Sequence, residues 1–176
     1  MGVPSRWSRA RIGQRVPASS FAYRSQKRAD SRSMGLSTTE LVHATTVSID
    51  GQGVLISGPS GSGKSDLALR LIDRGATLVA DDQTLVRAQA GAILASSPAT
   101  IAGKLEVRGL GILSFEHETE TPLSLSVSLA ETVERMPEPR TRQIAGLVLP
   151  DMVLDPRPAS APIKVELMVR GKGPMA

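Results

Sequence analysis

A strand-rich α/β domain built on a phosphate-binding loop is the fold class that this 176-residue sequence predicts. Three observations predict it. The apolar run Gly53-Val54-Leu55-Ile56-Ser57 leads into Gly58-Pro59-Ser60-Gly61-Ser62-Gly63-Lys64-Ser65, a full match to G-x-x-x-x-G-K-[ST]. A stretch with helical apolar spacing follows at once. The remaining apolar runs are short, and most suit strands, so one well-marked helix is expected among many strands.

The elements read in order from Leu41. Leu41–Ile49 is β-branched and partly alternating, and Asp50-Gly51 supplies a hairpin turn into the strand Gly53–Ser57. Ser65–Arg74 reads as the helix: Leu67, Ala68, Leu71 and Ile72 share a face, and Gly75 caps its end. Asp66 in its first turn offsets the helix dipole. Thr77–Ala80 is a second buried strand ending at Asp81-Asp82. Thr84–Ala88 and Ala92–Ala95 flank a turn at Gln89-Ala90-Gly91. Lys104–Val107, Leu123–Leu129 and Ile144–Leu149 are further strands. Ser160–Arg170 reads as a closing helix, although Val165, Leu167 and Val169 alternate as in a strand.

Composition excludes several classes. No apolar run is long enough to cross a bilayer, and the absence of cysteine removes disulfide scaffolds, thiol nucleophiles and cysteine-ligated zinc. Two histidines leave little for a histidine-rich metal site. The net charge of +4 points toward nucleic acid only until it is located. Residues 1–36 carry eight basic side chains and one acid, and the remainder carries thirteen basic and sixteen acidic. The folded part is therefore mildly acidic, and nucleic acid is not the expected partner. Residues 1–36 read as a disordered basic tail ahead of a folded domain at 37–176. A transit peptide and a basic arm for RNA or membrane fit the same composition. So does a chain start at Met34, just before the first periodic segment.

The phosphate loop carries the firmest chemistry. Its glycines turn backbone N–H groups inward onto phosphate oxygens, and the helix N-terminus adds a partial positive charge. Lys64 reaches the β- and γ-phosphates, and the Ser65 hydroxyl is placed to ligate Mg²⁺. Asp81-Asp82 follows only sixteen residues after Ser65, a short return for an acidic strand in a phosphate-loop enzyme. Two carboxylates at one strand end divide labour: one orients metal or water, the other takes a proton from an acceptor hydroxyl. Transporter ATPases would show an L-S-G-G stretch and GTPases an N-K-x-D motif, and neither occurs.

His43, the phosphate loop, Leu78-Val79-Ala80-Asp81-Asp82 and Glu106-Val107-Arg108-Gly109-Leu110-Gly111-Ile112 together resemble the catalytic domain of the HPr kinase/phosphorylase family. Glu-[Ile/Val]-Arg-Gly-x-Gly-Ile is that family's signature, and the resemblance runs from about Leu41 to Arg170. It implies a phosphate-loop fold akin to phosphoenolpyruvate carboxykinase, generally assembled as hexamers. It also implies a cytoplasmic, ATP- and Mg²⁺-dependent kinase acting on a serine of HPr, a small phosphocarrier protein of the sugar phosphotransferase system.

The residue roles implied by the resemblance are specific. Lys64 binds phosphates, while Ser65 and Glu106 hold Mg²⁺. Asp82 is the base toward the acceptor serine, with Asp81 beside it and His43 lining the site. Arg135, in Glu134-Arg135-Met136, is the best match to the family's catalytic arginine. Arg108 in the signature pairs with a carboxylate or neutralises phosphate charge, and His117 falls in a solvated acidic patch. Two departures stand out. The long form's N-terminal domain has no counterpart here, as in the short alphaproteobacterial form. The long form's Pro-Gly-Arg-Asn loop is replaced by Asp155-Pro-Arg157-Pro-Ala-Ser-Ala-Pro162, which leaves Arg157 as the substitute for the loop arginine and puts the phosphorylase reaction in question. A small-molecule phosphate-loop kinase and a non-catalytic nucleotide sensor are the rival readings.

Overall fold

The computed structural model describes residues 39–173, which fall in the unit formed by residues 35–176. The basic tail expected at 1–36 and the alternative start at Met34 lie outside the described residues. Eleven strands and two helices follow one another here. They are β1 (Thr39–Val42), β2 (Ala44–Ile49), β3 (Gln52–Ser57), α1 (Lys64–Asp73), β4 (Thr77–Ala80), β5 (Thr84–Gln89) and β6 (Ala92–Ser96). Then come β7 (Lys104–Val107), β8 (Gly111–Ser114), β9 (Glu120–Leu129), β10 (Arg140–Ile144), β11 (Leu147–Leu154) and α2 (Ala161–Val169).

Nine strands form one sheet, in the order β1-β5-β6-β9-β3-β2-β4, with β11 pairing the end of β9 and β10 pairing β11. Two parallel contacts, β3 with β9 and β9 with β11, sit among antiparallel ones. Strands β7 and β8 make a separate hairpin. The parallel strands β3, β9 and β11 all end at one edge, where the antiparallel β2 begins: Ala44 lies opposite Ser57. Strand β4 is antiparallel to β2, so it ends there too. That edge gathers His43, the phosphate loop, Asp81-Asp82, Ala130-Glu131 and Asp155–Arg157. It is the carboxyl-end edge at which open α/β sheets bind ligands.

Two apolar clusters occupy the two faces of the sheet. Val47, Ile49, Val54, Ile56, Leu125, Val127 and Leu154 pack against Leu67, Ala68 and Leu71 of α1 and Ala161 and Val165 of α2. Leu55, Ala44, Val86, Ile93, Ala95, Leu123, Ile144 and Leu149 fill the other face. Leu123 and Leu125 belong to opposite clusters although two residues apart, because β9 carries an extra residue at Ser124 between Gly53↔Leu123 and Val54↔Leu125. Backbones crowd there. A Cβ on Gly53 would lie 2.8 Å from Thr121 Cγ2 and 3.0 Å from Pro122 O.

The structure corrects two element expectations and bears out a third. Leu41–Ile49 is two strands, broken at His43: β1 pairs with β5, β2 with β3 and β4. The run Ile144–Leu149 is the tip of a hairpin, with Ala145 (φ 48°) and Gly146 (φ 79°) turning β10 into β11. Ser160–Arg170 is helical, begun by Pro162 in the first turn and tied to α1 by Arg74, whose Nε and Nη2 donate to the Glu166 carboxylate at 2.5 and 3.0 Å. Those hydrogen bonds hold the Glu166 carboxyl below its ordinary range. Two helices thus stand among the described residues where the sequence marked one clearly.

Two outcomes follow for stability. Gly53→Ala overpacks the β3–β9 contact and should lower unfolding free energy by about 1–3 kcal/mol in urea titrations. Because the folded Glu166 pKa is depressed, its contribution is present above the unfolded value and fades as pH falls through the folded one. Glu166→Gln should therefore flatten that acidic limb of the stability–pH curve.

Candidate active site

One cavity of about 1000 Å³ opens at the strand-end edge. His43, Pro59 to Asp66, Asp82, Glu106, Arg108, Glu131 and Arg157 line it. Between β3 and α1 the phosphate loop curls over the first helical turn, and Gly63 takes the left-handed conformation (φ 94°) as the helix cap. The Gly58 position admits no side chain, since a Cβ would meet Ser62 Oγ at 2.7 Å and Leu129 Cβ at 3.0 Å. The closing Leu67 N–H to Gly63 O bond is 2.9 Å.

Lys64 is 7% exposed, and its Nζ donates to the carbonyls of Gly58 and Pro59, each at 3.1 Å. Among the described residues no carboxylate pairs with it. A buried ammonium held by two carbonyls, beside a helix N-terminus, fits the phosphate chain of a nucleotide by charge and by donor supply.

The consecutive acids are treated differently by the fold. Asp81 is 6% exposed and accepts three hydrogen bonds. Thr45 Oγ1 and Ser65 Oγ both donate to Oδ1 at 2.8 Å, and the Glu106 backbone N–H donates to Oδ2 at 3.1 Å. Asp82 instead has φ 65° and sits at the centre of a γ-turn closed by Gln83 N–H to Asp81 O at 2.7 Å. Its side chain is 65% exposed and its Oδ1 lies 3.2 Å from His43 Nδ1. Asp81 is therefore a fixed acceptor, and Asp82 is a solvent-facing carboxylate with an imidazole beside it.

The donor set for a hard divalent cation fits the same place. Ser65 gives its proton to Asp81, which leaves its oxygen lone pairs for a metal, and the exposed Glu106 carboxylate lines the same cavity. Among the described residues no three His, Asp or Glu side chains form a cage by themselves. The fit is that of Mg²⁺ shared between one or two protein oxygens and nucleotide phosphates.

On the far wall, Arg157 Nε and Nη2 donate to Asp155 at 2.9 and 3.1 Å, and Nη2 also reaches Glu131 O at 3.0 Å. This pairing raises the Arg157 pKa and lowers that of Asp155. Arg70 ties the same loop to α1, donating to Pro156 O at 2.5 Å while pairing with Asp66 at 3.0 Å. Asp66 thus holds Arg70 as well as facing the helix dipole.

Of the residues expected from sequence, His43, the loop from Pro59 to Ser65, Asp82, Glu106, Arg108 and Arg157 line one cavity, and Gly58 and Asp81 back it. Arg135 does not line it: it lies on the exposed segment between β9 and β10. His117 is exposed and bridges to Leu78 on the edge strand β4, outside the cavity. Sequence reading passed over Thr45, which no motif contains, and Asp155, which orients Arg157.

Comparison with known proteins places the chain in a family. The chain is 50% identical over 72 residues to the HPr kinase/phosphorylase of Clostridium tetani, covering 41% of this chain and 24% of that protein. It is 48% identical over 81 residues to that of a Geobacillus strain, covering 46% and 26%. The matches thus span about a quarter of the length of these curated relatives. The solved structure of the Hpr(Ser) kinase/phosphatase from Coxiella burnetii superposes with a TM-score of 0.67 at 30% identity, over 75% of this chain and 95% of that one. Residues 34–142, more than half of the sequence, match the family model described as the HPr Serine kinase C-terminal domain, and the chain belongs to that family.

Proposed function

We propose that this domain is an ATP- and Mg²⁺-dependent kinase that phosphorylates a serine hydroxyl of an HPr-type phosphocarrier protein. The observation that carries the reading is the pairing, on one cavity wall, of a saturated Asp81 behind Ser65 with an exposed Asp82 beside His43. A nucleotide sensor has use for the first carboxylate but not for the second. The family's relatives named HPr kinase/phosphorylase supply the substrate class.

In this reading Lys64 and the loop N–H groups hold the β- and γ-phosphates. Mg²⁺, when bound, neutralises charge on the phosphate oxygens, and Ser65 and Glu106 are the residues that would hold it. The seryl hydroxyl gives its proton to Asp82 as its oxygen bonds to the γ-phosphorus, the bond to the bridging oxygen breaks, and ADP leaves. His43 keeps the Asp82 carboxylate directed into the cavity. Arg157 and Arg108, which line the same cavity, add positive charge. Arg135, on the segment that starts at the Glu131 carbonyl Arg157 binds, is the arginine to close over the transferring group. The family setting further supports a cytoplasmic enzyme acting in phosphotransferase-system control as a homo-oligomer, by resemblance a hexamer. No helix among the described residues is long and apolar enough to cross a membrane.

Purified chain, labelled ATP and HPr from the same organism should give phosphoseryl-HPr only when Mg²⁺ is present. Label on a metabolite with no protein acceptor would sink the proposal in favour of a small-molecule kinase. Asp82→Asn should lower transfer by about 10²–10⁴-fold while ADP affinity stays within twofold; robust transfer by Asp82→Asn would refute the base assignment. For the reverse reaction, phosphoseryl-HPr incubated with inorganic phosphate should release pyrophosphate, and Arg157→Ala should slow that release. No release from the parent chain would remove the phosphorylase activity from the proposal.

A further inference from the structure

We propose that Thr45 is a positioning residue for this site, whose buried hydroxyl fixes the Asp81 carboxylate and through it the metal-binding orientation of Ser65. The proposal rests on the reading of Ser65 as a Mg²⁺ ligand beside a bound nucleotide.

Thr45 is fully buried in β2, on the face that Val47 and Ile49 turn toward α1. Continuing the register from Thr46↔Ala80 places Thr45 directly opposite Asp81, and the Ala44 N–H to Asp82 O bond at 3.1 Å holds that register to the strand end. The two side chains therefore emerge on the same face, toward the first turn of α1. Thr45 Oγ1 and Ser65 Oγ then donate to the same oxygen, Oδ1, at the same 2.8 Å distance. Glu106 N–H occupies Oδ2.

The sharing has a consequence for Ser65. A buried carboxylate oxygen short of one donor turns to recover it or admits water, because an unmet charged acceptor is costly to bury. With Thr45 in place, Oδ1 faces Ser65 without rotating, and the Ser65 proton has one destination. The serine lone pairs then stay directed at the cavity. Without the Thr45 hydroxyl, the Asp81 rotamer is set only by Glu106 N–H and by Ser65 itself, and Ser65 loses its fixed reference.

The test is nucleotide binding rather than turnover. ADP affinity is measured by calorimetry on the full chain, with and without Mg²⁺, for the parent, Thr45→Val and Thr45→Ser. The expected result is metal-free ADP affinity within twofold of the parent for both variants. The Mg²⁺-dependent gain should fall about tenfold or more in Thr45→Val, and Thr45→Ser should restore it. A full Mg²⁺ gain in Thr45→Val overturns the proposal. So does an equal loss with and without metal, which is the mark of a merely structural hydroxyl. Should Thr45→Val fail to fold, Thr45→Ala against Thr45→Ser makes the same comparison, since those two differ only by the hydroxyl. A parent chain that binds ADP with no Mg²⁺ gain overturns the reading of Ser65 itself, an outcome distinct from a parent gain that Thr45→Val leaves untouched.

Discussion

A single buried carboxylate ties together the parts of this domain that surround its cavity. Asp81 sits where β2, α1 and the β7–β8 hairpin converge, and it takes one donor from each: the Thr45 hydroxyl, the Ser65 hydroxyl and the Glu106 amide. Burying an ionised acid is unfavourable by several kcal/mol unless its oxygens are met by well-aligned donors. That penalty makes the arrangement specific, because any packing that withdrew one element from the others would strand the charge. Among the described residues the hairpin bearing Glu106 and Arg108 pairs with no strand of the main sheet, and the fully buried Leu105 and the Glu106 amide bond to Asp81 fasten it beside the phosphate loop.

Asp81 faces α1 because of a register shift. Along β2, Val47 pairs with Leu78 but Thr46 pairs with Ala80, so Val79 is an extra residue in β4. Had the Val47↔Leu78 register continued, Asp81 would stand opposite Ala44, whose side chain packs in the other cluster, away from Ser65. One inserted residue therefore exchanges the faces of the two acids. The γ-turn at Asp82 then completes the separation. Its positive φ costs of order 1–3 kcal/mol for a residue with a side chain, and the neighbouring hydrogen bonds hold it. The outcome is a pair of adjacent carboxylates, one buried and met by three donors, the other exposed beside His43.

Much of this was legible in the sequence, and the rest was not for definable reasons. The phosphate loop, α1 and the strands around them are local: apolar spacing, glycine positions and flanking turns specify them within a few residues. The turn at Ala145-Gly146 was hidden because Ile144-Ala-Gly-Leu-Val-Leu reads as one apolar run, whereas Ala90-Gly91 sits between alternating segments and shows itself. Both turns use an alanine at positive φ where Asn or Asp would have announced a hairpin. The break at His43 depends on β1 choosing β5 and β2 choosing β3 and β4, a choice made by partners far along the chain. Thr45 was invisible as a site residue because its role exists only through the register that sets it opposite Asp81.

The topology also accounts for the short return from the phosphate loop to the acids. Strands β3 and β4 run parallel but do not touch; β2 lies between them, antiparallel to both. Helix α1 needs to cross only this one strand, so ten helical residues and a tight turn suffice to bring the chain back at Thr77. An antiparallel strand in that position begins at the edge where its neighbours end, and it therefore delivers residues to the site from its own start. His43 reaches the cavity by that route beside Asp82, and Thr45 is set behind Asp81. A parallel strand inserted there would begin at the far edge and could contribute neither. The antiparallel β2 is thus the reason that the acids of this site come with a histidine and a hydroxyl already beside them.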